Sequence, residues 1–515
     1  MVRRLLASKF ALAVLVIAAL GAQYGLAWLS HPVALAASSQ SASPRVAPVT
    51  AAVRACPSPG SPGGEGVALI AAAPGAVRSG LAVGGAAVVT RLSAAGSTSP
   101  GSPLITRAEP GVLTRAKIPV APAASGRSPR GQQAAGGKVI AGPSRGGVVV
   151  RATGSMARAL EVEQTGPGGL PTALCDGPGT DIWFVGDGEH AVTSMQLYLM
   201  NTDSQPADAE VDIYTDTGPL LESTDAGIDV PAHGLLVQSL ASLVHGSRVV
   251  ALHVRTSVGR LVAALRESRS AGEPGGWLPS AQPPARRLVI PGLPASAGSR
   301  ELYVAVPGAG NAHVKLTAVT AKGSYHPTGG NGLELPGGSA VAVPLPSLSG
   351  VAAALQLTSN VPITAAVEVP GGPRGAPGAY TAAAAPVEEQ GVIADNVSGS
   401  GDASTLILSA PRTAARVQIT EEGAAGGHQP DAAGQVPRVV TIAAMHTAVV
   451  RIRTPAGLAA GSPFAVVITP LAGSGPVYAG RVLTVGGTVK SIFPVPSALT
   501  SVLLPQVRDS PGALP

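Results

Sequence analysis

Aromatic residues are scarce in this chain: Phe 4, Tyr 7 and Trp 3 make up only 3% of 515 residues. Hydrophobic cores must therefore be built from Val, Leu, Ile and Ala, which suits thin β-sandwiches. Charge is scarce as well, at 12%, which excludes a highly charged disordered polymer over most of the length. With Cys 2 the chain is neither a disulfide-rich miniprotein nor a Cys-based zinc module. His 9 are scattered without H-x-H or H-E-x-x-H spacing, so no metal site is expected. Beyond the N-terminus no amphipathic run exceeds about ten residues except Val249–Arg269, which Ser257-Val258-Gly259 splits into two strands, and this removes the crossover helices a parallel α/β sheet requires.

What is abundant fits an antiparallel β protein. Hydrophobic residues reach 45%, and Gly 66 and Pro 48 fall mostly between apolar runs, where turns need them. Met195–Leu199, Val211–Tyr214 and Val314–Val319 alternate apolar and polar residues, as half-buried strands do. Pro231-Ala232-His233-Gly234 and Pro336-Gly337-Gly338-Ser339 each divide an apolar pair and read as hairpin turns.

The chain also repeats itself. Ile182-Trp183-Phe184-Val185-Gly186, Leu302–Pro307 and Leu406–Pro411 each open a block, and Val67–Gly75 opens a degenerate earlier copy. Each block closes on a paired motif: Val249–Val254 with Gly259–Leu265, Val351–Leu357 with Val361–Val369, and Phe464–Thr469 with Val477–Leu483. The periods match one small β-sandwich. The expected fold is all-β, with tandem Ig-like antiparallel β-sandwich repeats behind one N-terminal transmembrane helix. The expected divisions are a signal-anchor or signal peptide over 1–30 and a flexible linker over 31–55. A degenerate β-rich domain follows over 56–170, with a long, partly disordered basic loop over 93–147. Repeats then occupy 171–275, 285–385 and 390–505, leaving a tail over 506–515. The opening strands are expected to occupy equivalent places, and each closing pair to form a hairpin within one sheet.

Arg3, Arg4 and Lys9 precede an apolar run from Phe10 to Leu29, a length that spans a bilayer. Val33–Ala37 also offers a cleavage sequence ending near Ala36-Ala37. Single-pass anchoring and secretion both stay open, and both export the rest of the chain. Cys56 and Cys175 then read as one disulfide, stapling the first block to the second. Residues 1–170 carry 16 Lys+Arg against 4 Asp+Glu. That surplus suits an anionic lipid or wall polymer, while the absence of a basic stripe with interleaved aromatics speaks against nucleic acid.

Three motifs imitate chemistry. Gly142-Pro143-Ser144-Arg145-Gly146 fits the nucleophile-elbow pattern, but a strand-like Val148-Val149-Val150 follows where the elbow needs a helix. Asp216-Thr217-Gly218 matches an aspartic-protease triplet, yet its echo at Asp225 is too near to be a second lobe. Asp203, Asp208, Asp212, Asp216, Asp225 and Asp229 lack calcium-loop spacing. No catalytic, cofactor-binding or metal residue is expected. Trp277, in the linker Glu273-Pro274-Gly275-Gly276-Trp277, is the one candidate ligand contact, as an exposed stacking platform.

Cys175-Asp176-Gly177-Pro178-Gly179-Thr180-Asp181-Ile182-Trp183-Phe184-Val185-Gly186, with Cys56-Pro57 and Ala152-Thr153-Gly154, resembles an actinobacterial family of exported proteins, domain of unknown function 5719. The resemblance covers residues 50 to about 505. It implies one N-terminal membrane segment, an extracytoplasmic location and an association with envelope assembly, and it supplies no catalytic residues. The expected function is a non-enzymatic, membrane-anchored or secreted scaffold of the cell envelope. Its partner would be an envelope protein or wall polymer, with no cofactor. The alternatives are a binder of wall glycans and a cryptic hydrolase.

Overall fold

Burial alternation decides where the strands form. In Ala207–Thr215 every second residue is buried and the intervening Asp208, Glu210, Asp212 and Tyr214 stay half-exposed. Ala312–Thr320 repeats the pattern, with His313 and Lys315 outward, because side chains alternate across a pleated strand. The computed structural model describes residues 14, 16–25, 45–57, 66–70, 85–93, 103–105, 113–116, 146–165, 172–188, 192–220, 227–269, 275–295, 300–345, 348–369, 378–399, 401–423, 437–459 and 462–504. The fold is all-β, in multiple antiparallel sheets.

After a short strand β1 (Arg45–Pro48), four successive stretches repeat one strand order. The first holds β2 (Ala51–Cys56), β3 (Gly66–Ile70), β4 (Gly85–Arg91), β5 (Pro103–Ile105), β6 (Thr114–Ala116), β7 (Val148–Gly154), β8 (Glu161–Thr165) and β9 (Thr172–Leu174). Its sheets run β2-β7-β4-β5 and β6-β3-β8-β9. The second holds β10 (Asp181–Asp187), β11 (Ser194–Met200), β12 (Ala207–Thr215), β13 (Gly218–Pro219), β14 (Ile228–Val230), β15 (Leu235–Ser239), β16 (Val249–Val258), β17 (Val262–Ser268) and β18 (Gly276–Leu278). Its sheets run β10-β16-β12-β13, with β14 also on β12, and β15-β11-β17-β18.

The third holds β19 (Ala285–Leu293), β20 (Arg300–Val306), β21 (Ala312–Thr320), β22 (Gly323–Tyr325), β23 (Asn331–Leu335), β24 (Ser339–Leu345), β25 (Ala353–Val369) and β26 (Ala379–Ala382). The fourth holds β27 (Gln390–Asn396), β28 (Ala403–Ala410), β29 (Ala415–Gly423), β30 (Arg438–Ile442), β31 (His446–Arg451), β32 (Phe464–Pro470), β33 (Tyr478–Val485) and β34 (Thr488–Pro494), then β35 (Ser497–Ala498) and β36 (Ser501–Leu504). In the fourth, β30-β29-β32-β27-β35 and β31-β28-β33-β34 reproduce the order of the second. In the third, β25 is long enough to serve two sheets: Ala353–Ser359 pairs β21, and Thr364–Glu368 pairs β20. In the second stretch both sheets feed one core, Phe184, Leu252 and Ile213 from one and Leu197 and Leu265 from the other.

Three expectations need correction. The closing pairs are not hairpins: β16 and β17, the two halves of β25, and β32 and β33 each split between opposite sheets. The Pro231 and Pro336 turns likewise pass the chain between sheets, since β14 pairs β12 while β15 pairs β11, and β23 pairs β21 while β24 pairs β20. The opening strands are also not all equivalent. Trp183 lies on β10, the first strand of its stretch, whereas Tyr303 and Leu406 lie on β20 and β28, the second strands. First and second strands are both buried almost continuously, so the period-2 signal that would separate them is erased.

The chain forms two compact units, Met1–Ala47 with Leu503–Pro515, and Pro48–Val502. Val14 and residues 16–25 are helical. Among the described residues no helix is long and apolar enough to cross a membrane, so the spanning helix expected over 1–30 is not among the described elements. The remainder of 1–30, most of 31–55 before β1 and most of 93–147 lie outside the described residues; within the last range, β5 and β6 are strands.

Candidate functional site

Within Pro48–Val502 each stretch packs on the next, and the fourth packs back on the first. Tyr198, Met200 and Val262 of the second join Ala55, Leu92 and Val149 of the first. Tyr303, Ala366 and Tyr380 of the third enter the core of the second. Ile407, Val482 and Ile492 of the fourth enter that of the third. Val392, Ala394 and Val467 of the fourth meet Leu113 and Ala159 of the first. At the seam between the third and fourth stretches the backbones of β19 and β33 nearly touch, since a Cβ on Gly480 would sit 2.3 Å from the Gly292 Cα.

Polar side chains are buried at these seams. Arg481 Nη2 donates to Glu163 Oε2 at 2.8 Å, with both side chains at most 1% exposed. The backbone N–H of Ala394 donates to Glu163 Oε1 at 2.7 Å, and the Arg481 guanidinium lies 4.4 Å from the centre of the Phe493 ring. Burial pushes the Glu163 carboxyl up to about 7, against the opposing pull of Arg481. Between the second and third stretches, Arg269 Nη2 donates to Asp187 Oδ2 at 3.1 Å and also to Glu368 Oε1. The Tyr303 hydroxyl donates to Glu368 Oε2 at 3.0 Å, and the Tyr380 hydroxyl to Glu267 Oε2 at 3.2 Å. Burial, reinforced by neighbouring Glu368, lifts Glu267 to about 8 and Asp187 to about 6. Arg54 Nη2 donates to Glu161 Oε1 at 3.0 Å inside the first stretch.

A cavity of about 340 Å³ opens where the four stretches meet. Its walls come mostly from β9, β18, β34 and the segments that follow β9, β18, β26 and β34, with Phe184 of β10 and Ala263 and Ala264 of β17 added. β9 supplies Thr172, Ala173 and Leu174, followed by Asp176; β18 supplies Trp277 and Leu278, followed by Pro279–Pro283. Ala383, Ala384 and Ala385 follow β26, and Ile492, Phe493 and Pro494 end β34. Prolines suit these segments because their own positions have no N–H to place, while neighbours such as Ala281 still bond across to Trp183. The segments are tied together: Ser280 Oγ donates to Asp176 Oδ2 at 2.9 Å, and the Gln282 N–H donates to the Ala383 carbonyl at 2.7 Å. Burial raises the Asp176 carboxyl, opposed by the Ser280 bond and by Arg54.

Trp277 lies on this wall, in β18 and half-buried, rather than in an exposed linker. Its ring packs 5.3 Å from Tyr198, with Arg266 5.5 Å over it. Cys56 and Cys175 are bonded, with Cα atoms 4.6 Å apart. They join β2 to the residue after β9 within one core, so the bridge closes the first stretch on itself instead of stapling it to the second. Asp216-Thr217 is the turn between β12 and β13, with Thr215 paired to Gly218, and Asp216 accepts from the Arg248 N–H at 3.0 Å. Ser144 and Asp225 lie outside the described residues. Asp203 pairs with Arg260, Asp208 with Ser257, and Asp212 with Arg255. Among the described residues no group of three or more His, Cys, Asp or Glu side chains is placed to hold a metal ion.

Asp176, Ser280, Gln282 and Phe493 escaped sequence reasoning. The signal that pointed to them is the proline content of equivalent segments, Pro279, Pro283, Pro386, Pro494 and Pro496. A model described as Family of unknown function (DUF5719) matches residues 129–453, more than half of the chain, and the chain belongs to that family. No curated protein and no solved structure matches it.

Proposed function

We propose that this chain is a non-enzymatic, extracytoplasmic scaffold of the cell envelope, built from four Ig-like β-sandwich modules. It is held by its N-terminal segment or released after cleavage near Ala36-Ala37. The observation that carries the reading is the Cys56–Cys175 disulfide at the heart of the first module. Such bonds persist in oxidising compartments, and this one follows a basic start and an apolar run. The modules are Ig-like in that, in the fourth, the second strand pairs with the fifth and the third with the closing pair's first member, β28 with β31 and β29 with β32. They differ in placing the first strand beside that same member, as β10 lies beside β16. Modules locked seam to seam present fixed loops and edges, which is how non-catalytic sandwiches engage partners. The partner class is an envelope protein or wall polymer.

The test is a fusion of alkaline phosphatase after residue 504, combined with protease treatment of intact spheroplasts. Phosphatase activity and cleavage from outside are expected. An inactive fusion on a protease-protected chain would overturn the reading. Glycan binding has one observation in its favour, Trp277 on a cavity wall. Retention on purified wall polysaccharide that disappears in Trp277→Ala would replace the scaffold reading with that one.

A further inference from the structure

We infer that the cavity at the meeting point of the four modules binds a small, uncharged, ring-bearing molecule that carries a hydroxyl or amine donor. Its volume of about 340 Å³ lies within the range of small-molecule sites. The space is a cleft that opens to solvent, with Pro283 and Ala385 exposed at its mouth, so a small molecule can enter it without opening a seam. The floor is apolar and rigid: Phe184, Leu278 and Phe493 are each at most 4% exposed, and prolines frame them. Trp277 offers a half-buried aromatic ring, already held against Tyr198, which suits stacking on a planar body.

Charge decides the rest. No Lys, Arg or His is among the lining residues, and the single ionisable one is the carboxyl of Asp176. An anion would therefore meet no cation on the lining, since Arg54, which acts on Asp176 from behind, is bonded to Glu161, and it would meet one carboxyl in a desolvated setting. A neutral molecule with a donor instead finds acceptors on Asp176 and the hydroxyl of Ser497, among walls otherwise built largely from Ala, Pro, Leu and Phe.

The experiment uses a matched pair of photoprobes on the full chain in its membranes: 4-(hydroxymethyl)benzophenone, which is neutral, and 4-benzoylbenzoate, which is anionic. After illumination, adducts are mapped on tryptic peptides. Saturable labelling by the neutral probe is expected on the peptides spanning 270–286, 375–412 and 491–508, which carry the cavity walls. The carboxylate analogue is expected to label them about tenfold less. Ala385→Trp, an exposed lining position, plugs the mouth without entering a core and is expected to abolish that labelling. If Ala385→Trp melts early, Pro283→Trp, exposed on another wall, takes its place. Adducts scattered over other peptides, equal labelling by both probes, or full labelling of a folded plugged variant each overturn the inference.

Discussion

Replacing Arg481 with methionine tests whether the four modules form one cooperative body. The guanidinium sits 2.8 Å from Glu163, across the seam between the fourth and first modules, with both groups out of contact with water. Removing it leaves Glu163 with two backbone donors, Ala394 and Asp395, and no counter-charge. Breaking a buried pair from one side costs about 3–5 kcal/mol, because the remaining charge stays desolvated. The cost falls at low pH, where Glu163, already lifted to about 7 by burial, takes up a proton and becomes neutral. The assay is urea denaturation at pH 5.5 and pH 8, followed through Trp183 and Trp277, which both sit in the second module. A closed circuit passes the loss at the fourth module's seam to these reporters, so their midpoint drops, more at pH 8. The double variant Glu163→Met with Arg481→Met, apolar on both sides, is expected to regain most of the loss. An unchanged tryptophan midpoint alongside an early transition in the far-ultraviolet signal would refute the cooperative circuit. A double variant as weak as the single would refute the charge argument.

Thermal stability is expected to fall between about pH 5 and pH 9, because the folded chain keeps Glu267, Glu163 and Asp187 protonated up to about 8, 7 and 6 while the unfolded chain releases those protons near ordinary carboxylate values. A melting temperature that rises over this range would contradict the sign. Cys56→Ser with Cys175→Ser is expected to cost about 2–5 kcal/mol, and a non-reducing peptide map should show the bridged pair in the parent chain. Gly480→Ala should destabilise by about 1–3 kcal/mol, since its Cβ would collide with Gly292, itself held at φ +84; an unchanged denaturation curve would mean that this seam can open freely.

The sequence carried the strands well where one face meets solvent. Val211–Tyr214 and Val314–Val319 were legible because alternation survives there. It carried the repeat but slipped by one strand at Trp183, because β10 is covered on both sides and reads as a plain apolar run. The closing pairs misled for a different reason. Two apolar strands joined by Gly or Pro look the same whether the joint turns back along one sheet or crosses to the facing one. In β25 there is hardly a joint at all: one strand passes Val361-Pro362 and changes sheets. The disulfide was legible from counting and compartment alone, but its role was not, because that depends on which strands flank it.

The seam residues were invisible for a reason that also says what they do. Glu163, Glu267, Glu368 and Arg481 are charged, and a charged residue in an isolated sandwich strand reads as solvent-facing. Each bonds across a seam to another module, Glu163 to Arg481, Glu267 to Tyr380 and Glu368 to Arg269; Glu163 and its partner are 318 residues apart. A lone module would leave these groups in water at no cost, so they do not stabilise the individual fold. What they do is penalise wrong docking: a neighbour set in any other register leaves a desolvated charge without its partner. Four modules of nearly the same topology and almost the same Val, Leu and Ala surface have many ways to stack. The distinct polar partners at each seam select one, with Arg481 answering Glu163 at one seam and Arg269 with the two tyrosines answering Glu368 and Glu267 at another. The cavity exists only in that arrangement, because its walls draw on all four modules and no module alone supplies them.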